Sequence, residues 1–191
     1  PVVCHDKTVD RTTEGEGKIG DLDWAKIQKL DAGEYVGELW REVRVPRLEE
    51  VLDFAGQLIG LNIHIKDPGP EGALVRMVCQ EIMSRDLMRL AYIAGDASVL
   101  SVAREVAPDV KRCCLAGQNT PDHQVDLAVE YGCERLQFKR DVSDEAIKRA
   151  KDHDLICNLF WSDEPEDAKE YIRRGIDVVL TNRANLLLSV V

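Results

Sequence analysis

Residues 61–66 read Leu61-Asn62-Ile63-His64-Ile65-Lys66. In an extended segment successive side chains point to opposite faces, so Leu61, Ile63 and Ile65 line one face while Asn62, His64 and Lys66 line the other. Two later runs repeat the pattern: Leu136 and Phe138 oppose Gln137 and Lys139, and Cys157 and Leu159 oppose Asn158 and Phe160. A parallel sheet covered by helices on both sides is apolar on both faces. Strands with one polar face predict instead an α/β barrel of the TIM (β/α)8 type. Its interior is wet towards the C-terminal ends of the strands, where such barrels build their sites.

The rest of the chain keeps the same rhythm. Strands are expected at Val2–Cys4, Leu61–Lys66, Leu90–Ala94, Lys111–Ala116, Arg135–Lys139, Ile156–Trp161 and Val178–Thr181. Amphipathic helical stretches separate the later ones: Ala73–Ser84, Ala97–Val106, Val125–Tyr131, Asp144–His153 and Glu166–Arg174. Asp96 and Ser143 are good N-cap types, and Gly132 and Gly175 follow helical patterns where a left-handed C′ residue belongs. Pro46 is expected in the first turn of a helix running on through Leu48, Glu49 and Glu50. No repeat, low-complexity segment or linker interrupts the alternation, so one domain over residues 1–191 is expected.

Composition narrows the function. The 191 residues are 45% hydrophobic and 31% charged, which is the balance of a globular protein. Twenty-five basic against thirty-five acidic residues give a net charge of −10. That excludes nucleic acid and an anionic membrane surface as default partners, yet leaves room for a local basic pocket that takes a small phosphorylated ligand. No run of about 18 apolar residues is present to span a membrane. Six cysteines show no metal spacing and mostly sit among apolar neighbours, so they are expected as reduced thiols that pack. A cytoplasmic home is expected from them; export is the other reading if a leader precedes Pro1.

Four stretches carry chemistry. His5-Asp6 is followed by Arg11-Thr12-Thr13-Glu14-Gly15-Glu16-Gly17. Pro46-Arg47-Leu48-Glu49-Glu50 opens a helix, and Asn62-Ile63-His64-Ile65-Lys66 follows. The chain closes with Phe160-Trp161 and with Gly175-Ile176-Asp177 before Thr181-Asn182. In this order and spacing the segments resemble the glycerophosphodiester phosphodiesterase family, over essentially the whole chain. The first half is the more specific.

The resemblance implies a TIM barrel and hydrolysis of a glycerophosphodiester, or of a similar small alkyl phosphodiester, to an alcohol and glycerol phosphate. It implies that His5 is one of a catalytic acid/base pair, a role suited to an imidazole that titrates near neutral pH. Lys66 would offset charge on phosphoryl oxygens, Phe160 and Trp161 would contact the substrate, and a divalent metal ion, Mg²⁺ or Ca²⁺, would be bound. The position matching the family's later metal ligand, a Glu, is His64. Imidazole suits Zn²⁺ or Mn²⁺ better than Mg²⁺ or Ca²⁺. His64 therefore either changes the metal, or hydrogen-bonds, or marks a site that has lost it.

Three further departures stand out. Barrels of this type run to about 250 residues, and this chain is roughly 60 short. What the family places before His5, a His-Arg-Gly strand and a Glu-x-Asp strand, has no counterpart here, so the barrel is expected to lack its opening strands and first helix. Phe160 stands where the family has its late Trp, with Trp161 next. The family's Asn and closing Thr-Asp become Asp163 and Thr181-Asn182.

The segment Lys18–Val45 leaves room for a small cap, which favours a small headgroup. Two alternatives remain beside the hydrolase: a barrel that binds a phosphorylated ligand without turnover, and a lyase that stops at a cyclic phosphate. Of the remaining groups, Lys139 either meets phosphate or forms an interior ion pair. One of Phe160 and Trp161 is expected at the lip and the other in the core. His123, His153 and the acidic clusters Glu34/Glu38 and Glu164/Glu166/Asp167 are expected on solvated surfaces. The substrate is a small molecule; the oligomeric state is open.

Overall fold

The computed structural model describes residues 1–188, which divide into two compact units, Pro1–Ile59 and the residues from Gly60 onward.

The first unit is built from turns and two helices, α1 (Trp24–Ile27) and α2 (Leu48–Ala55). The expected strand at Val2–Cys4 does not join a sheet. Val2 forms an isolated antiparallel bridge with Arg47, and the Val3 N–H donates to the Pro46 carbonyl at 2.9 Å. Three β-prone residues are too few to distinguish a sheet strand from a segment that bridges one neighbour. Pro46 also lies one place outside the expected helix turn. Arg47 is the extended N-cap residue, and its N–H donates to Glu50 Oε2 at 2.7 Å, so Leu48 is the first helical residue. Asp31 organises the cap segment: Oδ1 accepts from the Gly33 and Glu34 N–H groups at 2.9 and 3.0 Å, and Oδ2 accepts from Glu42 N–H at 2.6 Å. Val9, Ile27, Val45, Leu48 and Leu52 are buried.

The second unit is a six-stranded parallel sheet: β1 (Leu61–His64), β2 (Ala91–Gly95), β3 (Lys111–Cys114), β4 (Arg135–Lys139), β5 (Ile156–Phe160) and β6 (Val178–Val179). Between them run α3 (Ala73–Ser84), α4 (Ala97–Val106), α5 (Pro121–Glu130), α6 (Asp144–Asp152) and α7 (Pro165–Arg173), with α8 (Ala184–Leu187) last. The strand order is sequential, β1 to β6. Right-handed crossovers that never reverse direction put every helix on the same side of the sheet, which is the wall of a TIM barrel; an open doubly wound sheet reverses its order.

Side chains confirm the curl. Asn158 Nδ2 on β5 reaches Tyr92 Oη on β2 at 3.2 Å. The Arg135 guanidinium on β4 lies 4.8 Å from the Tyr92 ring centroid. Three strand spacings are roughly 14 Å in a flat sheet, whose side chains stand perpendicular and would not meet. The other face packs on helices: Cys114, Leu136, Phe138, Cys157 and Leu159 share a core with Val125, Ala128, Ile147 and Tyr171. The predicted faces of β1, β4 and β5 are therefore observed, with the polar set turned into the barrel.

Caps explain where the helices stop. Ser143 Oγ accepts from Ala146 N–H at 3.1 Å at the start of α6. After α5 the Cys133 N–H donates to the Ala128 carbonyl at 2.8 Å, with Gly132 left-handed at φ 61°. After α7 the Ile176 N–H donates to Tyr171 at 3.0 Å, with Gly175 at φ 108°. Both are Schellman turns at the expected glycines. Among the described residues no helix is long and apolar enough to cross a membrane.

All six cysteines are free thiols, and all but Cys4 are buried, as packing residues should be. Burial pushes the Cys79 and Cys157 thiols up to about 11. A thiolate is the reactive form, so native protein at pH 8 should show one fast-reacting equivalent towards a disulfide reagent, from Cys4, and all six after denaturation. A second fast equivalent carried by any strand cysteine would contradict this packing.

Candidate functional site

The site elements of the two units are built separately. In the first unit His5 Nδ1 is 2.6 Å from Asp6 Oδ1. Arg11 grips the same carboxylate, with Nε donating to Oδ2 at 2.5 Å and Nη2 to Oδ1 at 3.1 Å. The bonds from Arg11 and then His5 hold the Asp6 carboxyl far below the usual carboxylate range. An ionised Asp6 can only accept, so Nδ1 keeps its proton and donates it in the hydrogen bond, which fixes the tautomer and assigns proton exchange to Nε2. The motif after it is a closed loop: Val9 N–H donates to the Gly17 carbonyl at 3.0 Å, Thr13 Oγ1 to the Val9 carbonyl at 2.8 Å, and Gly17 N–H to Asp10 Oδ2 at 3.1 Å. Arg11 is thus a carboxylate partner, and the threonine and glycines fold the turn that carries it.

In the second unit a cleft of about 190 Å³ opens at the C-terminal ends of β1, β2 and β3, lined by His64, Ile65, Lys66, Asp96, Leu115 and Gln118. His64 and Lys66 are both exposed on the polar side of β1 and its extension, and the structure brings them together as predicted. Asp96 follows β2 directly. Gly95 before it has no room for a side chain, since a Cβ there would lie 2.6 Å from Val99, and this close approach swings the chain straight into α4. Asp96 Oδ1 then caps that helix, accepting from Ser98 N–H at 3.0 Å, Ser98 Oγ at 2.6 Å and Val99 N–H at 3.2 Å. Desolvation pushes its carboxyl up, but the Ser98 and Val99 bonds and the charge of nearby His64 outweigh that and hold it low. Gln118 is set by its Nε2, which donates to the Gln137 carbonyl at 2.7 Å.

The remaining rim residues lie further along the sheet. Phe160 and Trp161, at the end of β5, are both solvent-exposed, at 46% and 40%. The expectation that one of them packs in the core is therefore wrong. The core positions of β5 are already taken by Cys157 and Leu159, whose parity leaves Phe160 facing inward at the rim. Lys139 Nζ donates to Asn119 Oδ1 at 2.5 Å, a polar pair and not the interior ion pair considered for it. His123 and His153 are exposed. Of the acidic clusters, Glu34, Glu38, Glu164 and Glu166 are exposed as expected, with Arg41 bridging Glu34 and Glu38 and Lys169 pairing with Glu166, while Asp167 is half-buried against Arg140.

The exchanged residues at the chain's end prove to be partners. Asp163 Oδ1 accepts from Thr181 Oγ1 at 2.9 Å and Asn182 N–H at 2.7 Å, and Asn182 Nδ2 donates to Asp163 Oδ2 at 3.2 Å. The two positions at which this chain departs from the family pattern therefore contact each other. Asp163→Asn alone should lower the urea midpoint, and Asp163→Asn with Asn182→Asp should restore most of the loss; a double variant no better than the sum of its singles would refute the coupling.

No group of three or more His, Cys, Asp or Glu among the described residues is arranged to hold a metal ion. An imidazole beside a carboxylate already bound to a helix N-terminus is not the all-oxygen cage that Mg²⁺ or Ca²⁺ requires. The described residues do not fit a hard-cation centre, and no chemical step is assigned to one.

An α/β barrel wall with a polar cleft at its C-terminal rim has its cleft where barrel enzymes build their active sites. Comparison with known proteins is specific. The Glycerophosphoryl diester phosphodiesterase family profile matches residues 1–186, and the chain belongs to that family of phosphoric diester hydrolases. A glycerophosphodiester phosphodiesterase of Caldanaerobacter subterraneus subsp. tengcongensis is 30% identical over 100% of this chain and 79% of its own length. One from Bacillus subtilis is 24% identical over 99% of this chain and 71% of its own. Among solved structures, a glycerophosphodiester phosphodiesterase from Agrobacterium tumefaciens superposes with a TM-score of 0.84 at 20% identity, covering 99% of this chain and 80% of that one. An Oleispira antarctica phosphodiesterase, in complex with its product sn-glycerol-3-phosphate, gives 0.83 at 21% identity, covering 100% and 78%. Family members generally use a divalent metal ion.

Proposed function

We propose that this protein hydrolyses glycerophosphodiesters or similar small alkyl phosphodiesters to an alcohol and glycerol phosphate. The family match over residues 1–186 carries the reading, because it gives the His5-Asp6 pair and the Lys66 cleft a common chemistry. In this reading His5, oriented by Asp6, moves a proton through Nε2. Lys66 offsets the charge that builds on the phosphoryl oxygens. Phe160 and Trp161 contact the departing alcohol. A metal-dependent reaction belongs to the proposal only as a preference: with His64 in place of a carboxylate, Mn²⁺ or Zn²⁺ is expected to activate better than Mg²⁺ or Ca²⁺.

The test is hydrolysis of glycerophosphocholine and glycerophosphoethanolamine, with EDTA and then with each of the four ions, followed by ³¹P NMR. Glycerol phosphate among the products supports the hydrolase, and a cyclic phosphate that persists makes the protein a lyase. His64 at the position of a family Glu, and Asn182 in place of the closing Asp, favour one second reading, a barrel that binds such ligands without turnover. No turnover under any condition, with sn-glycerol-3-phosphate still bound, would establish that reading instead.

A further inference from the structure

An arginine on the rim of a phosphodiesterase barrel is naturally taken for a phosphate contact. Arg140, immediately after β4, is placed otherwise. Its Nη2 donates to Asp167 Oδ1 at 2.9 Å, in the first turn of α7. Its Nη1 donates to the backbone carbonyl of Trp161 at 3.3 Å. Its own carbonyl accepts the hydroxyl of Tyr171, from the buried side of α7. One residue therefore joins the ends of β4 and β5 and two turns of α7, and both ends of its guanidinium fork are engaged within the protein.

The segment it holds is the exposed aromatic pair Phe160-Trp161. The following residues are fastened on the opposite flank: Ser162 N–H donates to the Leu180 carbonyl at 3.0 Å, and Asp163 binds Thr181 and Asn182 beyond β6. Trp161, one residue past the end of β5 and half in water, gains little from the core and would otherwise sample more positions than the strand residue Phe160. Straps on both flanks remove that freedom before any ligand arrives, which lowers the ordering cost of binding. The β6 side holds Leu159 and residues 162–163, and Phe160 is held in β5 by its pairing with Lys139 of β4. Trp161 itself is gripped through its carbonyl, from the β4 side, by Arg140.

We infer that Arg140 is a positioning residue that sets the Phe160-Trp161 lip for the alcohol portion of the ligand, acting on ligand affinity and not on bond breaking. The inference rests on the substrate reading above for its ligand, though not for the latch itself. The experiment uses the full chain with Trp24→Phe and Trp40→Phe, so that Trp161 is the remaining tryptophan of the three. Arg140→Ala and Arg140→Lys are made in that background, with Asp167→Asn as an independent release of the same latch.

Acrylamide quenching of Trp161 should rise at least about twofold in Arg140→Ala and in Asp167→Asn, with partial return in Arg140→Lys, since an ammonium can hold one end of the fork but not both. With glycerophosphocholine, KM in Arg140→Ala should rise about tenfold at near-constant kcat, the scale of one charge-assisted hydrogen bond. Unchanged quenching in both Arg140→Ala and Asp167→Asn would overturn the latch. A fall in kcat at constant KM would overturn the positioning role and place Arg140 at the reacting phosphate. If the parent shows no turnover, the substrate reading fails, while quenching still decides whether Arg140 holds the lip.

Discussion

His5→Ala should lower kcat for glycerophosphocholine by about 10²–10⁴-fold, the usual contribution of a positioned acid or base. The argument starts from Asp6. Its carboxyl is held far below its ordinary value by Arg11 first and by His5 second, so it stays ionised through the whole range in which an imidazole titrates. An always-charged neighbour 2.6 Å from Nδ1 locks the ring and commits Nε2 to the reaction. Two controls separate this role from a structural one. His5 is mostly exposed, so its removal should leave the unfolding midpoint unchanged. Asp6→Asn should also lower kcat, by less, because it loosens the tautomer without deleting the base. Equal kcat for His5→Ala and the parent would remove His5 from the mechanism.

The parts of this molecule legible in its sequence are those that depend on local periodicity. Arg135–Lys139 is read as a strand and is one, because an apolar face and a polar face alternate there without a break. Ala73–Ser84 and Ala97–Val106 are helices to the residue, and Asp96 and Ser143 cap where they should. Errors cluster where a short segment has two physically similar fates. Val2–Cys4 is β-prone, but its backbone pairs with Pro46 and Arg47, a choice made by tertiary contacts far along the chain. The inward side of Phe160 follows from strand parity, yet not its exposure, which depends on how much of the rim covers it.

The candidate site shows the same division. His64 and Lys66 are found by period two. Asp96 is found as a cap but not as a wall of the cleft, although a residue that directly follows a barrel strand stands at the functional rim, and that was the available signal. Gln118 carried none: a glutamine in a loop is silent until its amide is seen on the Gln137 carbonyl. Asp163 and Asn182 look like two separate departures in sequence, and only the structure shows that they are in contact.

The largest stability effect should come from the opposite end of the barrel. Arg112, at the start of β3, is 5% exposed, and its side chain points outward among backbone carbonyls. Nη1 donates to Val110 at 2.7 Å and Pro108 at 2.9 Å, and Nη2 to Gly132 at 2.7 Å. These carbonyls belong to the loop after α4 and the Schellman turn after α5, so one guanidinium closes the bottoms of two neighbouring α/β units. The acidic partner matters less to that fork: Glu134 Oε1 is 3.8 Å from Nη2, and Glu134 instead receives the Arg112 backbone N–H at 2.7 Å. Arg112→Met would keep the packing stem and strand three buried acceptors. The expected cost is about 3–5 kcal/mol, the range for breaking a buried charged network by removing one member. In a chain of this size that is a fall in Tm on the order of 10 °C. Arg112→Lys should recover only part of it, because an ammonium cannot reproduce the planar fork. Glu134→Gln should cost far less than either. KM for the substrate should not change in any of the three at a temperature where they are folded, since the C-terminal rim and its cleft lie at the other end of the strands. If Glu134→Gln proved as damaging as Arg112→Met, the ion pair and not the carbonyl fork would be what holds this end of the barrel together.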